Sequence, residues 1–361
     1  MSTSRDDAPP SGTSASPPAR RDQPVRRAGR RRRREDLAWR WGSRVAAALP
    51  LAGLGAVLVV LAIKAWPAIV VNGWGFVSRS QWLPGNTYGG VVHTHGVAHP
   101  QGSLYGAWPL IAGTLETSLI AVVIAVPLAL GTAFALTERL PSWIARPLGF
   151  LVEILAGLPS VVIGLWGVLE VGPFLARHVY PLVANHVPNV GPLRFLTGSV
   201  GYGEGLATSG LVLGLMIVPI IASTTRDLFL QVPALPKEGG EALGLTGAEV
   251  ARRVTIPWVR GGIVGATVLG LGRALGETMA VAMISGSVLG KVSPNLYGTM
   301  TTIAATIVSQ LDSAATDGTG FAVATLAEAG LILAVIALVV NLAARRIVAH
   351  TGRLTAPVGR G

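Results

Sequence analysis

The apolar positions of this chain fall into long unbroken runs, not into the one-sided stripe of a surface helix or the alternation of a half-buried strand. The runs lie near 44–64, 112–136, 148–170, 206–229, 262–289 and 321–344. Each is long enough for a helix to cross about 30 Å of hydrocarbon, which takes roughly 20 residues. The pattern predicts an all-α polytopic membrane protein with six transmembrane helices over 44–345, a basic tail at 1–43 and a second tail at 346–361. The first tail opens "MSTSRDDAPPSGTSASPPAR", which has no apolar period, and is expected to be disordered. Pro127, Pro159 and Pro219 fall inside the second, third and fourth runs and are expected to interrupt those helices.

Between the runs the chain turns polar. The loop at 65–111 carries His93, His95 and His99, which alternation would place on one side of a strand. With no acidic or thiolate partner nearby, a solvated β-hairpin is expected there and no metal site. The connections at 171–205 and 290–320 read as irregular. The longest connection of the other set, 230–261, reads "QVPALPKEGGEALGLTGAEVARRVTIPWVRG". Pro233 and Pro236 open it, Glu238 and Glu241 are expected in the first turn of a short helix, and Gly244 can stop that helix in the left-handed conformation. A second helical stretch is expected from Gly247 to Pro257.

Composition agrees with the pattern: 50% of residues are hydrophobic, 13% are charged, and the 46 glycines and 24 prolines exceed what soluble helices tolerate. The absence of cysteine removes disulfides, thiolate metal sites and cysteine nucleophiles. The net charge of +11 is concentrated, because nine arginines lie between Arg20 and Arg34. Such a run just ahead of a first span reads as a topology signal and a contact for anionic lipid before it reads as a nucleic-acid arm. The first apolar run is long for a signal peptide and is read as a retained anchor. Lys and Arg cluster at 20–44, 139–146, 226–260 and 345–360, whereas Lys64, Arg79, Arg177, Arg194 and Lys291 fall on the opposite side. The positive-inside rule then places both termini in the cytoplasm of a cell-membrane protein.

Two stretches imitate nucleotide sites and fail on spacing. "GSVLGKVS", Gly286 to Ser293, has three residues between its glycines where a phosphate-binding loop has four, and Val292 stands where Ser or Thr should hold magnesium. "GLGRALG", Gly270 to Gly276, has the wrong second gap for a dinucleotide loop, and no strand precedes it. No Ser/His/Asp set or catalytic carboxylate pair shares a face, so no catalytic residue and no bound cofactor are expected. Energy must come from a gradient or from a partner.

The spacing Glu238-Gly239-Gly240, three residues, Gly244, nine residues, Val254, one residue, Ile256-Pro257 resembles the cytoplasmic loop signature of ABC importer permeases. Gly-Gly replaces the usual Ala-Ala, and two glycines in a helix cost about 1 kcal/mol each, which is expected to loosen the loop's first turn. "GRALGETMAV" and "EILAGLPSVVIGLWG" further resemble the C-type permease of phosphate-specific ABC importers, over roughly residues 110–345. The resemblance implies an ABC importer permease fold and a transport subunit that performs no catalysis itself. It implies a separate cytoplasmic ATPase dimer holding ATP and Mg, which docks on the loop around Glu238, Gly239, Gly240, Glu241, Ala242, Gly244 and Pro257. It also implies a homologous A-type permease, an external phosphate-binding protein and inorganic phosphate as cargo. A permease for another oxyanion, such as molybdate or sulfate, is the nearest alternative; a proton-coupled carrier or membrane enzyme without an ATPase is a more distant one.

Two charges stand in the fifth run, in "RALGETMA". Arg273 lies about 17 Å from the start of that run at Gly262, near mid-membrane, where an arginine costs about 2.5–3.5 kcal/mol. Glu277, four residues on, is expected on the same helix face as its ion-pair partner. Ala266, Leu269, Gly270, Gly276 and Ala280 border that face, and Gly261 to Gly265 and Gly272 to Gly276 are spaced for close helix approach. A guanidinium suits a phosphate oxyanion. Arg273 and Glu277 are therefore the candidate substrate path. Glu116, Glu153 and Glu328 are further acids within spans, and Arg226 is expected to snorkel to the cytoplasmic interface.

Overall fold

A computed structural model describes residues 25–352 of the protein, and within them the side chains of 39–86, 89–191 and 193–346. The expectations for 1–24 and 353–361 lie outside these residues. The chain divides into two units, Met1–Val57 and Leu58–Gly361. In the first, the described chain is helical from Val25 onward. Arginine and alanine are good helix formers, and no proline stands between Val25 and Leu49.

In chain order the elements are α1 (Val25–Asn72), α2 (Gly75–Ser78), β1 (Trp82–Leu83), β2 (Asn86–Thr94), β3 (Val97–Gln101), β4 (Leu104–Tyr105) and α3 (Trp108–Arg139). There follow α4 (Ser142–Ala156), α5 (Ser160–His186), α6 (Leu206–Leu230), α7 (Ala234–Ala242), α8 (Gly247–Leu275), α9 (Met279–Ile284), α10 (Ile303–Ala315) and α11 (Phe321–Gly352). Six helices among the described residues are long and apolar enough to cross a membrane: α3, α5, α6, α8 and the stretches Trp39–Asn72 and Phe321–Arg346 of α1 and α11.

The expected spans shift in four places. The third run is broken at Gly157–Pro159 into α4 and α5, and α5 continues to His186 through ground expected to be irregular. The fifth begins at Gly247 and stops at Leu275. The connection at 290–320 contains α10. The last helix runs past 345 to Gly352. Of the three prolines, only Pro159 interrupts a helix; Pro127 and Pro219 lie within α3 and α6. Proline forfeits one hydrogen bond, and a helix packed on its neighbours absorbs that loss.

The core is a spine of small residues. Ala121, Ala125, Ala129 and Ala133 recur every fourth residue of α3 and are fully buried. They meet α6, where Gly210 and Gly214 lie four apart; a Cβ at Gly214 would stand 3.1 Å from the Ala121 carbonyl. With no hydrophobic effect to drive helices together in lipid, such close backbone approach supplies the packing. The first-turn N–H groups of α6 are sealed by main chain: Leu206 donates to the Gly298 carbonyl (3.1 Å) and Ala207 to that of Leu296 (2.8 Å). Gly205, at φ 135°, permits this contact, since a Cβ there would lie 2.5 Å from the Gly298 oxygen.

The expected hairpin is present, with β2 and β3 antiparallel around His95-Gly96, both at positive φ. The reversal overturns the shared face of the histidines. His93 pairs with Ala98 and His99 with Val92, so His93 and His99 project from opposite faces of the ladder. His99 is not solvated: its Nε2 lies 2.8 Å from Thr94 Oγ1, its Nδ1 lies 2.9 Å from Ser103 Oγ, and its ring stands 5.3 Å from that of Phe321.

Candidate coupling elbow and substrate path

The connection between the fourth and fifth spans is a fixed elbow. Pro233 precedes α7, and because the helix starts at Ala234, Glu238 and Glu241 fall beyond its first turn. Its C-terminus closes with Gly244 at φ 83°. Leu245 N–H donates to the Gly240 carbonyl (3.2 Å) and Gly244 N–H to that of Glu241 (2.8 Å), the paired bonds of a Schellman stop. Thr246 then begins α8 with a capping box: Thr246 N–H donates to Glu249 Oε2 (2.9 Å), and Glu249 N–H donates to Thr246 Oγ1 (3.4 Å). The Thr-x-x-Glu spacing was visible in the sequence as a helix start.

The two glycines lie beyond the first turn of α7, which starts at Ala234. Gly240 is buried where α7 meets α8, and a Cβ there would lie 3.2 Å from Val250 Cγ2, with Leu245 and Val254 just behind. Gly239 faces open space. On the outer side Leu235 and Leu243 are 79% and 84% exposed beside exposed Glu238, Glu241 and Ala242. Nor does the second helical stretch end at Pro257. A wide π-turn at Ala251–Thr255 precedes that proline, and the helix continues to Leu275, 29 residues in all. Its length, about 1.5 Å per residue, therefore joins the elbow to Arg273 without a break.

Arg273 and Glu277 are not the intrahelical pair expected. Arg273 lies in the last turn of α8, which ends at Leu275 with Gly276 as its cap; Glu277 follows in the break before α9. Gly276 N–H turns back to the Arg273 carbonyl (3.2 Å) and Glu277 N–H to that of Ala274 (3.3 Å), so the helical i, i+4 geometry is lost at this point. Glu277 is 9% exposed, and its Oε1 accepts from Ala280 N–H (3.4 Å) at the start of α9. Arg273 is exposed, and its side chain has no hydrogen bond or ion pair among the described residues.

The rest of α8 has two faces. Ala266, Gly270 and Ala274 are buried, and a Cβ at Gly270 would lie 2.8 Å from Ile221 Cγ1 of α6. Gly265, Leu269, Gly272 and Gly276 form an exposed stripe, with nothing within 4 Å of the Cβ position of Gly265 or Gly272. At about 100° per residue, Arg273 stands on the border between these faces. Among the described residues, Gly265 and Gly272 thus meet no other helix, whereas Gly210, Gly214 and Gly270 do.

Other charged groups found partners that the sequence did not reveal. Arg226 does not simply snorkel: it crosses Gly149 to Glu153 of α4, 3.2 Å away. Glu328 is 5% exposed and its Oε2 accepts from Asn72 Nδ2 at 2.9 Å. Lys237 of α7 lies 2.6 Å from Glu138 at the end of α3. Each pair is more than 70 residues apart in sequence, beyond the reach of any local pattern. Among the described residues no three of His, Cys, Asp or Glu come together so as to hold a metal ion.

Six spans with a capped, exposed elbow between the fourth and fifth make this a polytopic membrane protein. The model of the family described as binding-protein-dependent transport system inner membrane component matches residues 125–353, and the chain belongs to that family. It is a multi-pass membrane transport subunit with an ABC importer permease fold, a family that works with ATPase and substrate-binding partners.

Among relatives, it is 59% identical over 324 residues to "Phosphate transport system permease protein PstC 1" of Mycobacterium tuberculosis (strain ATCC 25618 / H37Rv), covering 90% of this chain and 96% of that protein. "Phosphate transport system permease protein PstC" of Mesorhizobium japonicum (strain LMG 29417 / CECT 9101 / MAFF 303099) is 40% identical, covering 86% and 90%. The protein of the same name from Haemophilus influenzae (strain ATCC 51907 / DSM 11121 / KW20 / Rd) is 38% identical, covering 81% and 86%. Among solved structures, a chain of the inward-facing MetNI methionine ABC transporter is 20% identical with a TM-score of 0.47, covering 68% of this chain and 94% of that one.

Proposed function

We propose that this chain is the C-type permease subunit of an ATP-driven phosphate importer. The 59% identity over nine-tenths of the chain to a protein named a phosphate transport system permease carries the reading of the cargo. In it, both termini are cytoplasmic and a homologous A-type permease packs on the open stripe of α8. An ATPase dimer, which holds the ATP and Mg that this chain does not bind, grips the outer face of α7. An external phosphate-binding protein delivers inorganic phosphate.

Arg273 offers phosphate a planar fork of donors at the mouth of the break after α8. Glu277 caps α9 and holds that break open immediately beyond the guanidinium, a positioning role in place of the ion pair the sequence led us to expect. ATP-driven closure moves α7, and α8 carries the motion to Arg273 as one body.

Reconstitution with the partner subunits tests the reading. Arg273→Gln is expected to assemble normally and to lower ³²P-phosphate uptake at least about tenfold, the loss of one or more charge-assisted hydrogen bonds. Wild-type uptake by that variant removes Arg273 from the path. Competition of uptake by molybdate or sulfate at concentrations equal to phosphate reassigns the cargo.

A further inference from the structure

The outer face of α7 has a use in the proposed importer; its inner face poses a separate question. Two inward contacts leave α7. One is Gly240 against Val250, which leads into α8. The other is Lys237, whose Nζ lies 2.6 Å from Glu138 Oε1 and also donates to the Phe229 carbonyl at 3.4 Å. Glu138 belongs to the π-turn Ala135–Arg139 that ends α3, and Phe229 lies in the last turn of α6, where its carbonyl also accepts from Val232 N–H at 3.3 Å. Phe229 is fully buried with Ala133, Val232, Val259 and Ile263, from α3, the α6–α7 link and α8. A single ammonium therefore fastens α7 to the ends of two spans that are themselves locked together by the alanine spine of α3.

We propose that Lys237 and Glu138 are positioning residues for transport: a strut through which displacement of α7 drives α3 and α6, alongside the Gly240–Val250 contact that drives α8. The inference rests on the reading of α7 as the ATPase dock. Without the strut, α7 would hinge on its Schellman turn and move α8 alone. The α3–α6 pair would lag, and hydrolysis would proceed without the rearrangement that moves phosphate. The load enters α3 at the π-turn Ala135–Arg139.

The test uses the reconstituted full transporter with Lys237→Glu, Glu138→Lys and the double exchange, reading co-purification of the ATPase, ATP hydrolysis, ³²P-phosphate uptake and the thermal midpoint. Both single variants are expected to retain the ATPase and a near wild-type midpoint, to keep hydrolysing ATP, and to lose uptake about tenfold or more. The double exchange restores the α7–α3 pair, although a carboxylate at the α7 position cannot donate to the Phe229 carbonyl; because α6 still follows α3 through the alanine spine, uptake is expected to recover to within about threefold, as a direct pairwise interaction does in a mutant cycle. Uptake unchanged in the single variants, or no recovery in the double, overturns the strut. Loss of ATPase binding by Lys237→Glu but not by Glu138→Lys also overturns it, because Lys237 would then act in docking. Failure of the wild-type chain to retain an ATPase is a different result, which removes the importer reading itself.

Discussion

Single residues show how much of this chain is decided by what lies beside a backbone atom. Gly239 and Gly240 look equivalent in sequence, yet one faces open space and the other a valine methyl at 3.2 Å. Gly239→Ala should therefore stabilise α7 by about 1 kcal/mol, the helix-propensity difference. Gly240→Leu should separate α7 from α8. Thermal midpoints of the purified chain should move in opposite directions, and a rise for both would remove the packing argument.

Asp317 is a second instance. It precedes α11, and although burial pushes its carboxyl up, hydrogen bonds from the N–H groups of Ala322 and Thr319 and from the Thr319 hydroxyl outweigh that and hold it below the usual carboxylate value. A folded pKa below the unfolded one means stability that is complete above the unfolded value and lost as pH falls through the folded value. Asp317→Asn should thus lower the midpoint at pH 7 by about 1 kcal/mol's worth, as loss of a cap does. The gap to wild type should close only below about pH 4. Neighbouring Tyr105, pushed up to about 12 by burial and by the Asp317 charge, stays neutral throughout.

Elements were legible in the sequence to the extent that one period dominates them. Six apolar runs became six spans, the Gly244 stop and the short helix before it stand where the local chemistry put them, and the hairpin expected in the 65–111 loop turns at His95-Gly96. The errors share a cause: hydropathy does not register where a helix breaks or continues. Pro159 splits α4 from α5, yet Pro257 passes within a helix because the π-turn before it supplies the slack. Gly276 ends α8 one residue before Glu277, which converts an expected i, i+4 pair into a guanidinium without a partner among the described residues and a carboxylate that accepts from Ala280 N–H. The elbow itself depends on the Thr246–Glu249 box. Thr246→Ala should cost about 1 kcal/mol of local stability. Hydrogen exchange should then accelerate at 244–250 while the amides of α6 keep their protection; uniform acceleration would mean that the elbow is not a separate unit.

For the whole molecule, the open stripe of α8 separates a chain that works alone from one that needs a partner. Leu269 is 60% exposed, and Gly265 and Gly272 have nothing within 4 Å of their Cβ positions, although Ala266, Gly270 and Ala274 on the same helix are buried. Lipid would solvate leucine and valine as well as it solvates glycine, so a row of glycines gains nothing by facing acyl chains. It gains close approach when it faces a second helix.

A stripe that borders Arg273 and meets another permease would also close the far wall of the path. The chain contains no cysteine, so a thiol at Leu269 is unambiguous. Leu269→Cys, combined with single cysteines along the fifth span of the co-expressed homologous permease, should cross-link at positions repeating every third or fourth residue. Phosphate uptake should fall with the cross-linked fraction and return on reduction. Cross-linking to no position, with a fluorophore attached at Leu269→Cys quenched instead by a lipid-soluble nitroxide, would turn this face to the bilayer and leave Arg273 without a second wall.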